Sequence, residues 1–443
     1  MSDTLEPTAR KIVQRLRNAG HLAFYAGGCV RDMLRGVAPH DYDIATSARP
    51  EQVQGLFRRT FDVGAHFGVI VVHEAGLDFE VATFRSDGAY IDGRRPERVT
   101  FSSPEEDAAR RDFTVNGMFF DPLTGQVIDY VGGEEDLIAR RLRAIGDAAA
   151  RFREDRLRML RAVRFATVLG YEIDPATWEA VCVNAAKIHE VSAERIREEF
   201  VKTLVHPNRL RGFDLLDQSG LLRQIIPEFE ALKGCTQPEQ FHPEGDVFVH
   251  TRAMIGLLPP AEVSVPLAFS VLLHDIAKPP TRTIDADGRI RFNGHDKLGA
   301  QMTREIMERL RFSRAEIEAA AEAVDQHMVF KDVQNMRVSK LKRFMARPGF
   351  EDEMELHRVD CTSSHGYLDN YEYIRTRQQE FANVPLIPPP LVTGDDLIAL
   401  GLQPGPRFKE ILDAVQSRQL EGTLTTPEGA LDWVKEEFLS NNS

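Results

Sequence analysis

Cysteine is scarce in this chain of 443 residues: Cys29, Cys182, Cys235 and Cys361 stand far apart and form no metal-type pair. A reduced, cytoplasmic protein fits that usage best. No apolar run approaches the roughly 18 residues that a membrane-spanning helix needs. The opening MSDTLEPTARKI lacks the hydrophobic core of a secretory signal. The expectation is a soluble protein with no membrane partner. Positive charge is also in deficit, with 55 Lys and Arg against 68 Asp and Glu and a net charge of −13. That argues against an all-over basic coat for nucleic acid but leaves room for a local basic stripe. Internal repeats and low-complexity tracts are absent. The length suits about two to four domains with ample core.

What is present is organised around Tyr25 to Thr46, YAGGCVRDMLRGVAPHDYDIAT. The apolar run Leu22 to Ala26 reads as a short strand. Gly27 and Gly28 follow, then a helical pattern to Arg35, and a Pro-containing turn leads to Asp41-Tyr42-Asp43 on a second strand. Glycines after a strand let a phosphate approach the backbone, and the N–H groups opening a helix favour anions. Period-2 alternation places Asp41 and Asp43 on one face. Two carboxylates so placed can hold divalent metal beside the phosphate site, where it could activate an attacking hydroxyl. Gly27-Gly28-x-Val30-Arg31-Asp32 followed by Asp41-x-Asp43 resembles the head of the polymerase-β-like nucleotidyltransferases. The likeness is to the bacterial (class II) branch, which contains CCA-adding tRNA nucleotidyltransferases and poly(A) polymerases. The resemblance implies catalytic, Mg²⁺-holding roles for Asp41 and Asp43 and nucleotide binding at Gly27, Gly28 and Arg31.

Further along, Thr8 to Asn18 and Pro50 to Phe57 read as helices, and Gly68 to His73 and Leu77 to Thr83 as strands joined at Ala75-Gly76. Glu80 alternates with Phe79 and Val81 and is a candidate third metal carboxylate; an edge-strand salt bridge is the bland alternative. Arg85 to Arg98 is a polar loop too long for a tight turn. In the resembled family this segment helps switch the enzyme to adding A, and here it is not shortened. Pro104 to Arg110 is helical and leads into Arg110-Arg111-Asp112-Phe113-Thr114-Val115-Asn116. Arginine forks match phosphate oxygens, while Asp and Asn can hold ribose hydroxyls. The string resembles the family motif RRDxxxNA with Gly117 in place of Ala, implying that Arg111, Asp112 and Asn116 contact triphosphate and sugar. Met118 to Tyr130 reads as a hairpin that closes the head near Gly146.

Arg140 to Arg164 is dense in arginine. RNA binding is one reading of it and a solvated amphipathic helix the other. Within it, Arg153 to Phe165, REDRLRMLRAVRF, places Glu154, Arg158, Arg161 and Phe165 on one helical stripe with Asp155 beside Arg158. Arginine offers only donors and a carboxylate only acceptors, so together they can pair with a base edge without a template; i,i+4 ion pairing is the alternative. The segment resembles the family motif EDxxRxxRAxRF. The resemblance implies that Asp155 and Arg158 read the base, that Glu154 positions the arginine, and that Arg161 and Arg164 bind triphosphate or the tRNA end. Helices over Ala176–Ile188, Ala193–Val205 and Pro207–Gln218 would form a neck for the tRNA acceptor end.

A second chemical centre runs through His250, Leu273-His274-Asp275-Ile276-Ala277-Lys278, His295, His327 and Asp360. Imidazole with carboxylate suits divalent transition metals, and adjacent His and Asp on a helix can share one. The order resembles the HD phosphohydrolase superfamily, which implies His250, His274, Asp275 and Asp360 as ligands. His295 and His327 are further ligands or phosphate contacts.

The expected fold is α+β: a polymerase-β-like head with a small mixed sheet (1–146), an all-helical neck (147–226), an all-helical HD domain (227–384) and a helical tail (385–443) beyond the stiff PLIPPP linker. The expected activity is template-independent addition of CCA to tRNA from CTP and ATP, with metal-dependent phosphohydrolysis in the HD domain. The rivals are an A-adding enzyme, a poly(A) polymerase, and a phosphohydrolase with an RNA-binding head. Poly(A) polymerases of the branch carry a basic string where this chain has Val63-Gly64-Ala65-His66-Phe67-Gly68, which favours tRNA. Oligomeric state is left open.

Overall fold

The computed structural model describes residues 2–64, 68–87, 99–238, 240, 242–243 and 245–439. The chain divides into two compact units, Met1–Pro227 and Glu228–Ser443. The fold is α+β, as expected.

In the first unit the strands are β1 (Ala23–Ala26), β2 (Ile44–Thr46), β3 (Thr60–Gly64), β4 (Val69–Glu74), β5 (Leu77–Thr83), β6 (Arg85–Asp87), β7 (Val99–Phe101), β8 (Phe119–Asp121) and β9 (Gln126–Ile128). Seven make one mixed sheet in the order β3-β4-β5-β2-β1-β8-β9, and β6 pairs with β7 apart from it. β2 and β5 run parallel; the other neighbours are antiparallel. Every residue of β1, AFYA, is buried, which is why it reads as a plain apolar run. The helix Ser2–Asn18 buries Ala9, Ile12, Val13 and Leu16, spaced i, i+3, i+4, i+7. They share a core with Tyr25, Val30 and Ile44. Each large apolar side chain so buried stabilises by about 1.5–3 kcal/mol.

Ala75 and Gly76 both take positive φ, 53° and 81°, the turn geometry that suits a tight hairpin between β4 and β5. The β8–β9 hairpin also forms at the expected place. β3 is an edge strand that local pattern did not reveal; pairing with β4 holds it, with a register shift between Asp62 and Gly64.

The expected helix through Arg153–Phe165 is two helices, Ala148–Glu154 and Leu157–Leu169. The chain is extended at Asp155, φ −142° and ψ 107°, and Asp155 Oδ1 accepts the Leu157 N–H at 3.0 Å. A carboxylate that satisfies a backbone N–H locally competes with the continuous helix. The expected neck is not wholly helical either, because Glu172–Ile173 pairs in parallel with Arg141–Leu142.

The second unit is mainly helical. A small antiparallel pair, Thr283–Ile284 with Ile290–Arg291, and an isolated bridge between Thr236 and Asp246 correct the all-helical expectation. Asp285 Oδ1 accepts the N–H groups of Asp287 and Arg289, and Gly288 takes φ 75°, so the turn chemistry closes the pair. One apolar core contains Phe330, Phe344, Phe350 and Ile374. Another, near the C-terminus, contains Val392, Leu397, Ile411, Val415 and Val434. No described helix is long and apolar enough to cross a membrane.

Candidate functional site

Gly27 follows the end of β1, and its φ of 74° and ψ of −128° lie in a region open to glycine. A Cβ there would stand 3.0 Å from Arg111 Nη1. Gly28 then opens a short helix, Gly28–Leu34. From that helix, buried Arg31 donates from Nη1 to Asn116 Oδ1 at 2.7 Å and from Nε and Nη2 to Asp32 at 2.9 Å. The glycine turn and the Arg-Asp-Asn string, far apart in sequence, thus meet.

Asp41-Tyr42-Asp43 lead directly into β2 rather than lying on it, and Ala26 N–H already donates to the Asp43 carbonyl at 2.9 Å. Tyr42 turns into the core and meets Tyr25 edge-on at 4.9 Å. The alternation leaves Asp41 exposed and Asp43 half-buried. The β2–β5 register sets Ile44 opposite Val81, which brings Glu80 alongside. Asp41, Asp43 and Glu80 line an open cavity of about 380 Å³ with Asp78 and Phe61. Burial, then the charges of Asp41 and Glu80, push the Asp43 carboxyl up to about 6 against the pull of Arg111. Hard oxygen donors that resist one another's charge fit a divalent cation such as Mg²⁺. Among the described residues, groups of three or more ligand atoms all within 4.8 Å of one another occur only in the second unit.

Arg111 donates to Asp107 at 3.0 Å and to the Asn116 carbonyl at 3.4 Å. Asp112 accepts the Phe113 N–H, Asn116 Nδ2 and two N–H groups of Arg161. Burial opposes its charge, but Arg161 and these bonds hold its carboxyl below the usual range. Asp112 is therefore a bridge between the string and the neck. Gly117, the departure from the family string, has a steric cause: an added Cβ would lie 2.7 Å from Val131 Cγ2 and 3.0 Å from Ile145 Cδ1.

In the neck, Arg158 is buried and held by Glu154 Oε2 at 2.7 Å and by the carbonyls of Arg151 and Arg110 at 3.1 and 3.0 Å. These bonds use part of its N–H set. Asp155, expected beside Arg158, sits at the helix break, where its carbonyl accepts the Arg158 N–H and its carboxylate turns to the Leu157 N–H and Arg195. Phe165 carries the guanidinium of Arg164 at 4.0 Å from its ring centroid, with Arg161 and Arg31 at 5.2 and 5.4 Å. The arginine-rich stretch is not one exposed basic stripe. Arg141 and Arg143 pair with Asp136, Arg151 and Arg158 with Glu154, Arg156 with Glu190, Arg161 with Asp112, and Arg164 with Glu199. Acids both near in sequence, Asp136 and Glu154, and distant, Asp112, Glu190 and Glu199, neutralise much of it.

The second unit gathers its predicted ligands. His250 lies on the helix Val247–Leu257 and Asp360 on Phe350–Ser363, with His250 Nε2 3.1 Å from Asp360 Oδ1. His274 and Asp275 sit in the turn just beyond the helix Val265–Leu273 rather than within it. His250, His274 and Asp275 form one group of converging ligand atoms; Asp275, His295 and His327 form another. His274, His295 and His327 each place Nδ1 on the carbonyl three residues back, at 2.9, 2.7 and 2.6 Å. A carbonyl only accepts, so Nδ1 is the donor in each and Nε2 is left as the ligand atom, 3.0 and 3.6 Å from Asp275 for His274 and His295, and 3.1 Å from His295 Nε2 for His327. Burial, with His295 and His274 adding, brings His327 down to about 4, which favours its neutral ring at ordinary pH. Burial opposes the Asp275 charge, but His274 and Lys278 hold its carboxyl well below the usual range. The site opens on a cavity of about 600 Å³ lined also by Lys278, Lys331 and His357. The donor set fits a divalent transition metal.

Sequence reasoning missed Arg195 and Glu199 on the helix Ala193–Leu204, the partners of Asp155 and Arg164. Their four-residue spacing is visible in sequence, but their partners are not. Residues 88–98, most of the expected A-switching loop, and residues 65–67 of the Val63–Gly68 segment lie outside the described residues.

Comparison with known proteins agrees with this arrangement. Residues 23–143 match the family described as Poly A polymerase head domain, residues 170–233 the Probable RNA and SrmB-binding site of polymerase A, and residues 247–361 the HD domain. The CCA-adding enzyme of Geobacillus stearothermophilus is 47% identical over 211 residues, 47% of this chain and 52% of the relative. That of Lactobacillus helveticus is 40% identical over 262 residues, 58% and 65% of the two chains. The matched stretch thus spans between half and two thirds of these curated relatives. The crystal structure of Bacillus stearothermophilus CCA-adding enzyme in complex with CTP superposes with a TM-score of 0.74 at 28% identity, covering 97% of this chain and 96% of that one. A polymerase-type head, an RNA-binding segment and an HD domain thus match in that order along the chain, and over nearly its whole length it is similar to a CCA-adding enzyme.

Proposed function

We propose that this protein adds CCA to the 3′ end of tRNA from CTP and ATP with release of pyrophosphate. The observation that carries the reading is the pairing of a crowded carboxylate ledge, Asp41, Asp43 and Glu80, with a nearby glycine turn against which Arg111 lies. Asp41 and Asp43, with Glu80 beside them, would hold Mg²⁺. When bound, the metal would activate the tRNA 3′-hydroxyl and offset charge on the leaving phosphate. Arg111 and the Gly27-Gly28 turn bind the triphosphate, and Arg31 and Asp112 keep Asn116 in place for the ribose. Asp155 accepts from, and Arg158 donates to, the edge of cytosine or adenine, with Glu154 fixing the arginine. The division into head (1–146), neck (147–226), HD domain (227–384) and tail (385–443) is part of the same reading, as is a cytoplasmic location.

Relatives named as CCA-adding enzymes, and a structural neighbour in complex with CTP, support it. For the HD domain we propose metal-dependent phosphohydrolysis. His250, His274, Asp275 and Asp360 would hold a divalent transition metal, with His295 and His327 adjoining through Asp275.

The test uses purified protein, Mg²⁺ and tRNA transcripts ending at the discriminator base, at C and at CC, with labelled CTP and ATP supplied singly and together. CCA on the bare transcript is expected. A added only to the CC transcript would make this an A-adding enzyme, and no extension of any transcript would overturn the reading. Asp41→Ala and Asp43→Ala should each abolish addition while leaving tRNA binding largely intact.

A further inference from the structure

The helix Ala193–Leu204 presents Arg195 and Glu199 four residues apart, on one face. Arg195 Nη2 donates to Asp155 Oδ2 at 2.7 Å, while Asp155 Oδ1 accepts the Leu157 N–H. Each oxygen of the base-reading carboxylate is thereby fixed, one by the backbone and one by Arg195. One turn on, Glu199, 5% exposed, accepts from Arg164 Nε and lies 3.6 Å from Arg161 Nη1. Arg161 in turn grips Asp112 Oδ2 at 2.7 Å. Two adjacent turns of one helix therefore end on two different substrate-facing groups: a carboxylate that reads the base, and arginines that face triphosphate or RNA.

Asp155 sits at a helix break, so its side chain has no regular helical surroundings to set its rotamer. Without Arg195, only the Leu157 N–H would orient it. Cytosine presents an amino donor where uracil presents an oxygen, so rejecting uracil needs an acceptor that cannot turn away. Arg195 supplies that condition by position. Glu199 has a different task. Burying a carboxylate is costly unless it is paired, and its two arginines would otherwise repel each other across the Phe165 ring.

We propose that Arg195 and Glu199 are positioning residues with separable effects. Arg195 sets base discrimination through Asp155, and Glu199 sets nucleotide affinity through Arg161 and Arg164. The proposal rests on the nucleotidyltransferase reading above.

The experiment measures kcat and KM for CTP, UTP and ATP on the transcripts described, for wild type, Arg195→Met, Arg195→Lys and Glu199→Gln, with thermal melting of each. Arg195→Met should lower the CTP-over-UTP ratio of kcat/KM by about tenfold or more. Arg195→Lys, which keeps charge and a donor, should restore most of it. Glu199→Gln should raise KM for CTP and ATP alike, by roughly fivefold, with the CTP-over-UTP ratio kept. If Arg195→Met does not fold, Arg195→Gln takes its place with the same expectation. An unchanged ratio in the Arg195 variants, or parallel loss of selectivity and affinity in both sets, would reduce the helix to a structural staple and overturn the proposal. A wild-type protein that extends no transcript would instead sink the parent reading.

Discussion

Arg111 lies directly against Gly27: a single Cβ on the glycine would meet its Nη1 at 3.0 Å. The glycine's φ of 74° with ψ of −128° is costly for any L side chain. Gly27→Ala should therefore both strain the turn and push Arg111 off the triphosphate site. The expected outcome is a loss of about 1–3 kcal/mol of stability and a raised KM for both nucleotides. Chemical denaturation and steady-state kinetics would check it; unchanged KM values would detach Arg111 from nucleotide binding.

Gly117 tests packing in the same string. Gly117→Ala places a methyl 2.7 Å from Val131 Cγ2, and overpacking of this kind costs about 1–3 kcal/mol. Adding Val131→Ala should recover much of that loss, because it vacates the space the methyl needs. Urea midpoints of the single and double variants measure the coupling. Simple additivity would show that the clash relaxes elsewhere.

Asp275 is shared by both converging ligand groups of the second unit. Asp275→Ala should remove metal uptake by that unit altogether, whereas His250→Ala and His327→Ala should each weaken it without abolishing it. Titration calorimetry with Mn²⁺ or Ni²⁺, compared against wild type, reads the difference. Nucleotide addition should be unaffected in all three variants, since the acidic ledge of the head belongs to the other unit.

Glu353 gives a pH dependence. Burial pushes its carboxyl from 4.5 up to about 7 against the pull of Arg347, with which it is ion-paired. The folded state then binds more protons than the unfolded chain between those values, so stability falls as pH rises through that window. The contribution is fully present below about 4.5 and lost by pH 8. Glu353→Gln should flatten this part of the profile and gain on wild type between pH 5 and pH 8. Melting temperatures at the two pH values test it; parallel curves would mean that Arg347 keeps the group ionised throughout.

Much of the fold was legible locally. The apolar spacing of Ala9, Ile12, Val13 and Leu16, the turn at Ala75-Gly76 and the alternation of Asp41, Tyr42 and Asp43 are short-range patterns; the first two form, and the third keeps its alternating burial just ahead of β2 rather than on it. The failures are equally specific. The stripe through Arg153–Phe165 looked like one helix, yet Asp155 breaks it by capping Leu157. The arginine-rich stretch looked like an open basic face, yet Asp112, Asp136 and Glu199 neutralise much of it. β3 is held by its neighbour strand, not by its own composition.

By itself, then, the sequence determined which residue types stand at which spacing: the glycine turn, the paired aspartates, the Arg-Asp-Asn string and the His-Asp set. These are carried by backbone periodicity and by side-chain chemistry that need no distant partner. Only the tertiary structure decided that Arg31 holds Asn116 across 85 residues, that Arg195 holds Asp155 across 40, and that His295 meets His327 beside Asp275. Such contacts depend on how separate elements pack, and the free energy that selects one packing is spread over the whole buried core rather than written in any one stretch.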